Sequence, residues 1–100
     1  MTIIDRRVKP EDLRGWAEEI LEELGDPEAL FMDGYDDAIV GLTSETEPRV
    51  VYSEERIIDI LIKEGCTEEE AWDHYGFNIQ GSIQPNDHSY PIIIREPRVL

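Results

Sequence analysis

The sequence predicts an α+β fold: a small, mainly antiparallel three-stranded sheet with about three helices, in the order α-β-β-α-α-β. Three observations carry this. Residues 10–24 repeat their apolar positions at helical spacing, residues 38–52 hold two short β-type runs around a polar loop, and Thr67 followed by Glu70 is a capping box that opens a late helix. With 100 residues, of which 40% are hydrophobic, the chain suffices for one modest core, so residues 1–100 are expected to form a single domain. Residues 1–9 are expected to be a flexible tail.

The first helix is expected from about Pro10 to Leu24. Proline suits a first helical position, where its missing N–H is no loss. Glu11 and Asp12 sit at the positive end of the helix dipole. Leu13, Trp16, Ala17, Ile20, Leu21 and Leu24 form one apolar stripe, and Glu18, Glu19, Glu22 and Glu23 fall off it toward water. Gly25 supplies a left-handed cap and Asp26-Pro27 prevents continuation. Residues 28–32 are expected to add one further turn.

Asp33-Gly34-Tyr35-Asp36-Asp37 reads as a turn, residues 38–42 as a strand, residues 43–48 as a loop and residues 49–52 as a second strand. So short a connection fits an antiparallel hairpin. Ser53 is a good N-cap for a helix over 54–64, whose Ile57, Ile58, Ile60, Leu61 and Ile62 spread over an arc wide enough to pack on two sides, against the domain or a second copy of the chain. Gly65 ends it. The third helix begins after Thr67 and is read through Gly76 to about Gln80, with Gly81 as its cap. Residues 84–90 are a loop, and residues 91–95 a third strand that Pro91 assigns to an edge or strand end.

Charge bounds the function. There are 24 Asp and Glu against 9 Lys and Arg, a formal net charge of −15. Nucleic acid phosphates and anionic lipids call for Lys and Arg, so neither is an expected direct partner. Eleven of the acidic residues lie between Arg14 and Arg49, a stretch without Lys or Arg. No apolar run approaches the length of about 18 residues that marks a membrane span. The opening residues lack the apolar run of a signal peptide, so a cytoplasmic domain is expected. Cys66, the one cysteine, excludes a disulfide within this chain.

Few residues suggest chemistry. Asp33, Asp36 and Asp37 cluster beside a glycine turn, and clustered carboxylates can hold Mg²⁺ or Ca²⁺. The spacing fails the EF-hand pattern, and Asp36 and Asp37, as neighbours opening a strand, point to opposite faces. An Asx-rich turn is the simpler reading. His74 follows Asp73 on a helix, where adjacent residues do not face each other, and His88 lies in a polar loop. Cys66 precedes a helix start, yet a lone cysteine between helices serves as a small packed residue. Trp16 and Trp72 are assigned to core packing rather than to a base-stacking platform. Asn78 is a candidate binding residue, although an Asn near a helix end also serves to bond backbone. No nucleophile elbow, P-loop or dinucleotide fingerprint occurs, and no cofactor is implied.

The segment Met32-Asp-Gly-Tyr-Asp-Asp-Ala-Ile-Val-Gly41 is followed by Val50-Val51-Tyr52, by Ile57 to Leu61, by Gly65, by Thr67-Glu68-Glu69-Glu70-Ala71, by Tyr75-Gly76-Phe77-Asn78-Ile79-Gln80-Gly81 and by Tyr90-Pro91-Ile92-Ile93. This series resembles a family of small uncharacterised proteins found often in bacteriophage genomes and sometimes in prokaryotic chromosomes. The resemblance covers residues 31–94. Gly76 departs from it, where a helix-favouring residue is usual, as does the loop 84–89, which lacks the usual Gly-Glu before the proline. The resemblance implies an association with phages rather than an activity.

The expected function is that of a non-enzymatic acidic binding protein that inhibits or modulates a host or phage protein. Its carboxylate surface, centred on Glu18, Glu19, Glu22 and Glu23, would imitate nucleic acid phosphate. The alternative is a metal-binding module or metal-dependent enzyme using Asp33, Asp36 and Asp37, with Asn78 nearby.

Overall fold

A computed structural model describes residues 8–25, 28–84 and 86–97. Most of the expected tail 1–9, and the stop signal Asp26-Pro27, fall outside the described residues.

Pro10 opens a 3-10 turn, Pro10–Asp12, that runs into helix α1, Leu13–Glu23. Gly25, at φ 72°, takes the left-handed conformation that ends the helix. Ala17 and Leu21 are buried, and Leu13 packs against the core. Leu24, expected on the stripe, sits at the end of the helix and is 54% exposed.

The chain beyond does not make the further turn expected over 28–32. It runs without helix, and the Leu30 amide donates to the carbonyl of Ser89 at 2.8 Å. The distant loop supplies the bond that a local turn would have supplied. Asp36 and Asp37 do not open a strand either. They lie in a 3-10 turn, Asp36–Ala38, whose Ala38 amide donates to the Tyr35 carbonyl at 2.9 Å.

Strand β1, Ile39–Leu42, pairs antiparallel with β2, Val50–Ser53, with a register shift between Ile39 and Gly41. Ser53 ends β2 and caps α2, Glu54–Lys63, its hydroxyl accepting from the Arg56 amide. Helix α3, Glu68–His74, carries the capping box in full: Thr67 Oγ1 accepts from the Glu70 amide at 3.1 Å, and Glu70 Oε1 accepts from the Thr67 amide at 2.9 Å.

The third helix does extend past Gly76, but not as an α-helix. Tyr75–Ile79 is a π-helical turn and Gln80–Ser82 a 3-10 turn. Gly81 is therefore not a left-handed cap. It lies inside the 3-10 turn, where a Cβ would stand 3.2 Å from the Gly76 carbonyl oxygen.

Strand β3, Ile92–Ile94, adds to the far side of β2, giving the order β1-β2-β3. It sits at an edge, as Pro91 indicated. The three-stranded sheet of an α+β fold is as expected, with the β1–β2 pair antiparallel, and the structure adds that β3 runs parallel to β2, with Val51 opposite Ile92 and Tyr52 opposite Ile93. The connection through α2 and α3 carries the chain back to the end where β2 began, which is what a parallel pairing needs. The sheet is mixed and the class is α+β.

One face of the sheet supplies Ile39, Val50 and Tyr52 to the core, all fully buried. Ile57, Ile58 and Leu61 of α2, with Ala71, Tyr75 and Ile79 of the third helical segment, complete it. Helix α2 packs against β2, α3 and the Asp36–Ala38 turn, which accounts for its wide apolar arc. Ile62 alone of that arc is counted among the exposed large apolar residues, at 41%.

Candidate functional site

The side chains of Glu18, Glu19, Glu22 and Glu23 are exposed on α1, as the stripe required. They continue an acidic surface begun by Glu11 and Asp12. A groove of about 660 Å³ runs along it, lined by Glu11, Asp12, Glu18, Glu19 and Asp36, with Trp16 half-buried in its wall. Its cation is Arg14, which is already engaged. Arg14 Nε donates to Glu18 at 2.6 Å, Nη1 donates to Asp36 at 2.9 Å, and the guanidinium lies 3.9 Å from the centre of the Phe31 ring. Glu18 is thus partly neutralised, and Glu19, Glu22 and Glu23 carry the surface charge of the helix.

The three aspartates of the turn do not converge. Asp36 faces Arg14, Asp37 lines a cleft of about 400 Å³ with Arg56, Asp59, Lys63 and Glu64, and Asp33 is exposed beside Gly34, which has φ 88°. Among the described residues, no group of three or more His, Cys, Asp or Glu stands close enough to hold a metal ion. Asn78 lies on the π-helical turn, its side-chain amide 3.3 Å from Nδ1 of His74.

The loop groups serve structure. His88 Nε2 stands 2.7 Å from the Glu47 carbonyl oxygen, which can only accept, so this nitrogen carries a proton. Asp87 accepts from both the amide and the hydroxyl of Ser89, bonds that hold its carboxyl below the usual range. Cys66 is half-buried against the core, the packed role expected of it. Trp72, assigned to the core by sequence, is 37% exposed and meets Tyr75 edge to face, with ring centres 5.9 Å apart.

Sequence reasoning missed a polar cluster around Glu54. Glu54 opens α2, yet it is buried. It receives the hydroxyl of Tyr75, and Arg95 Nε lies 3.5 Å from its Oε1. Burial first, and then the bond to Glu54, push the Tyr75 hydroxyl up to about 12, so it is a neutral donor at ordinary pH. Tyr75 also lines a cleft of about 420 Å³ between β3, the Gln80–Ser82 turn and the following loop. The signal available in sequence was a Glu at the first position of a helix, which reads as a dipole partner and gives no sign of burial.

No helix among the described residues is long and apolar enough to cross a membrane. The chain matches no protein-family model, no curated protein and no solved structure.

Proposed function

We propose that the chain is a non-enzymatic acidic binding protein that occupies a basic cleft on a host or phage protein, in the place of nucleic acid phosphate. The observation that carries this reading is the α1 surface: exposed carboxylates in consecutive turns, bordering a groove whose Arg14 is held by Glu18 and Asp36. A helix of this kind offers a row of fixed negative charges, and the net charge of −15 steers it toward positive surfaces at long range. The phage association rests on the motif series of residues 31–94, and the expected place of action is the cytoplasm of an infected host. The metal alternative finds no support in the arrangement of Asp33, Asp36 and Asp37, since Asp36 is bonded to Arg14 and Asp37 lies among the charges of α2.

Affinity capture from the host cell, read by mass spectrometry, supplies the partner. Its affinity is then measured across a salt series for the native chain and for a variant with Glu18, Glu19, Glu22 and Glu23 all changed to Lys. The reading expects a steep loss of affinity with salt in the native chain, and weak, nearly salt-independent binding in the variant. Binding with the same affinity and salt slope in both would remove α1 from the interface and end the proposal.

A further inference from the structure

The groove of about 660 Å³ along α1 reaches the first described residue, Val8, which is part of its lining. Glu11, Asp12 and Glu19 line it with exposed side chains, and Trp16 gives it an apolar wall. Its one cation, Arg14, is committed to Glu18 and Asp36. Among the described residues no Lys or Arg forms an ion pair with Glu11, Asp12 or Glu19. The residues that precede Val8 carry what the groove lacks. Residues 1–7 read Met-Thr-Ile-Ile-Asp-Arg-Arg, with two arginines directly before Val8 and two isoleucines ahead of them. Connectivity places Arg7 one Cα step, about 3.8 Å, from Val8. Seven residues extend at most roughly 25 Å. The 11 residues of α1 rise only about 16 Å, so the segment is long enough to follow the groove as far as Glu19.

We infer that this groove seats the chain's own residues 1–7: Arg6 and Arg7 pair with Glu11, Asp12 and Glu19, and the Ile3-Ile4 pair lies against Trp16. Charge argues for this occupant, because the groove holds carboxylates without a partner and the adjoining segment holds arginines. Asp5 offsets one of the two, so the segment brings one net positive charge. Arginine suits the role, since its forked donors bridge neighbouring carboxylates and its weak hydration lets it lie along an aromatic wall. The carboxylates are exposed, so the contact is a loose one that salt weakens. It belongs to the chain alone and needs no partner. Where α1 meets a basic protein, a consequence that rests on the function proposed above, Arg6 and Arg7 are the groups that protein must displace, and the segment competes for the acidic face.

Trp16 reports the contact in the full chain once the other tryptophan is removed by Trp72→Phe. Acrylamide quenching of its fluorescence measures access to the ring. The quenching constant is expected to rise about twofold when the parent is moved to about 1 M salt, where charges are screened beyond about 3 Å. Arg6→Glu with Arg7→Glu should raise it as much at low salt, and so should Glu11→Arg with Glu19→Arg. Joining the two reversals should return the constant to the parent value, because the pairs re-form with opposite polarity. A parent that is quenched as readily as the Arg6→Glu, Arg7→Glu variant overturns the inference. So does a combined reversal that leaves the constant high. No binding partner enters the measurement, so its failure and the failure of the proposed function are separate results.

Discussion

Arg14 donates to Asp36 across 22 positions of sequence, at 2.9 Å, and so ties α1 to the turn that leads into β1. The same guanidinium covers the Phe31 ring at 3.9 Å. Both side chains of the ion pair keep a third or more of their exposure, so the pair by itself contributes only about 0.2–1 kcal/mol, and the stacking adds about 0.5–1 kcal/mol. Asp36→Asn is therefore expected to destabilise by less than about 1 kcal/mol, and Arg14→Ala by about 1–2 kcal/mol. Urea titration of the two variants and of the double variant measures the coupling. A double variant whose loss equals the sum of the two would show that the bond contributes nothing.

The capping box of α3 offers a second measurement. Thr67→Ala removes the acceptor of the Glu70 amide, and the expected loss is about 1 kcal/mol. The bonds from Thr67 hold the Glu70 carboxyl below its ordinary range, so its contribution is present above the unfolded carboxylate range and fades as pH falls through it. The difference in stability between the native chain and Glu70→Ala should accordingly shrink between neutral pH and about pH 3. A difference constant over that range would mean that the box does not depend on the ionised carboxylate.

Elements specified by near neighbours were legible in the sequence. Pro10, Gly25, Ser53 and the pair Thr67 and Glu70 mark helix ends through bonds that span four residues or fewer, and each lies where it was read. The β1–β2 hairpin was legible for the same reason. What the sequence hid depends on distant chain. The direction of β3 is decided by where α2 and α3 return it, and residues 28–32 form no helix, the Leu30 amide donating to Ser89 instead. The acidic face of α1 was legible from periodicity alone, whereas the engagement of Arg14 with Asp36 and the burial of Glu54 were not, because neither partner is near in sequence. Trp72 shows the limit of hydrophobicity as a guide, since its position on α3 leaves it partly in solvent while Ala71 beside it is fully buried.

Tyr52 is fully buried in β2, and its hydroxyl accepts from the Met32 amide at 2.8 Å. This bond secures a segment with no helix or strand of its own. Tyr52→Phe keeps the ring and leaves the amide without its acceptor, a change expected to destabilise by about 1–3 kcal/mol. Hydrogen exchange gives the more specific readout: the Met32 amide should lose protection while amides of α2 change only with global stability. Equal loss at both places would mean that Tyr52 acts through core packing instead.

Tyr75 predicts how the fold responds to alkali. Burial and the bond to Glu54 raise its hydroxyl to about 12 in the folded chain, against about 10 when unfolded. A group whose acidity is weakened by folding stabilises the native state while it stays protonated. Its contribution is therefore complete below about pH 10 and is lost as pH rises toward about 12. A shift of that size corresponds to a loss on the order of 3 kcal/mol at the upper limit. Tyr35 and Tyr52 are raised as well, chiefly by burial, so the decline in the native chain is shared. Tyr75→Phe isolates one share. It should be less stable than the native chain at pH 8, where Glu54 has lost its hydroxyl donor, and the gap should narrow between about pH 10 and 12. Urea titrations of both proteins across that interval decide it, because a gap that stays constant would mean that the Tyr75 proton is not what alkali removes from the core.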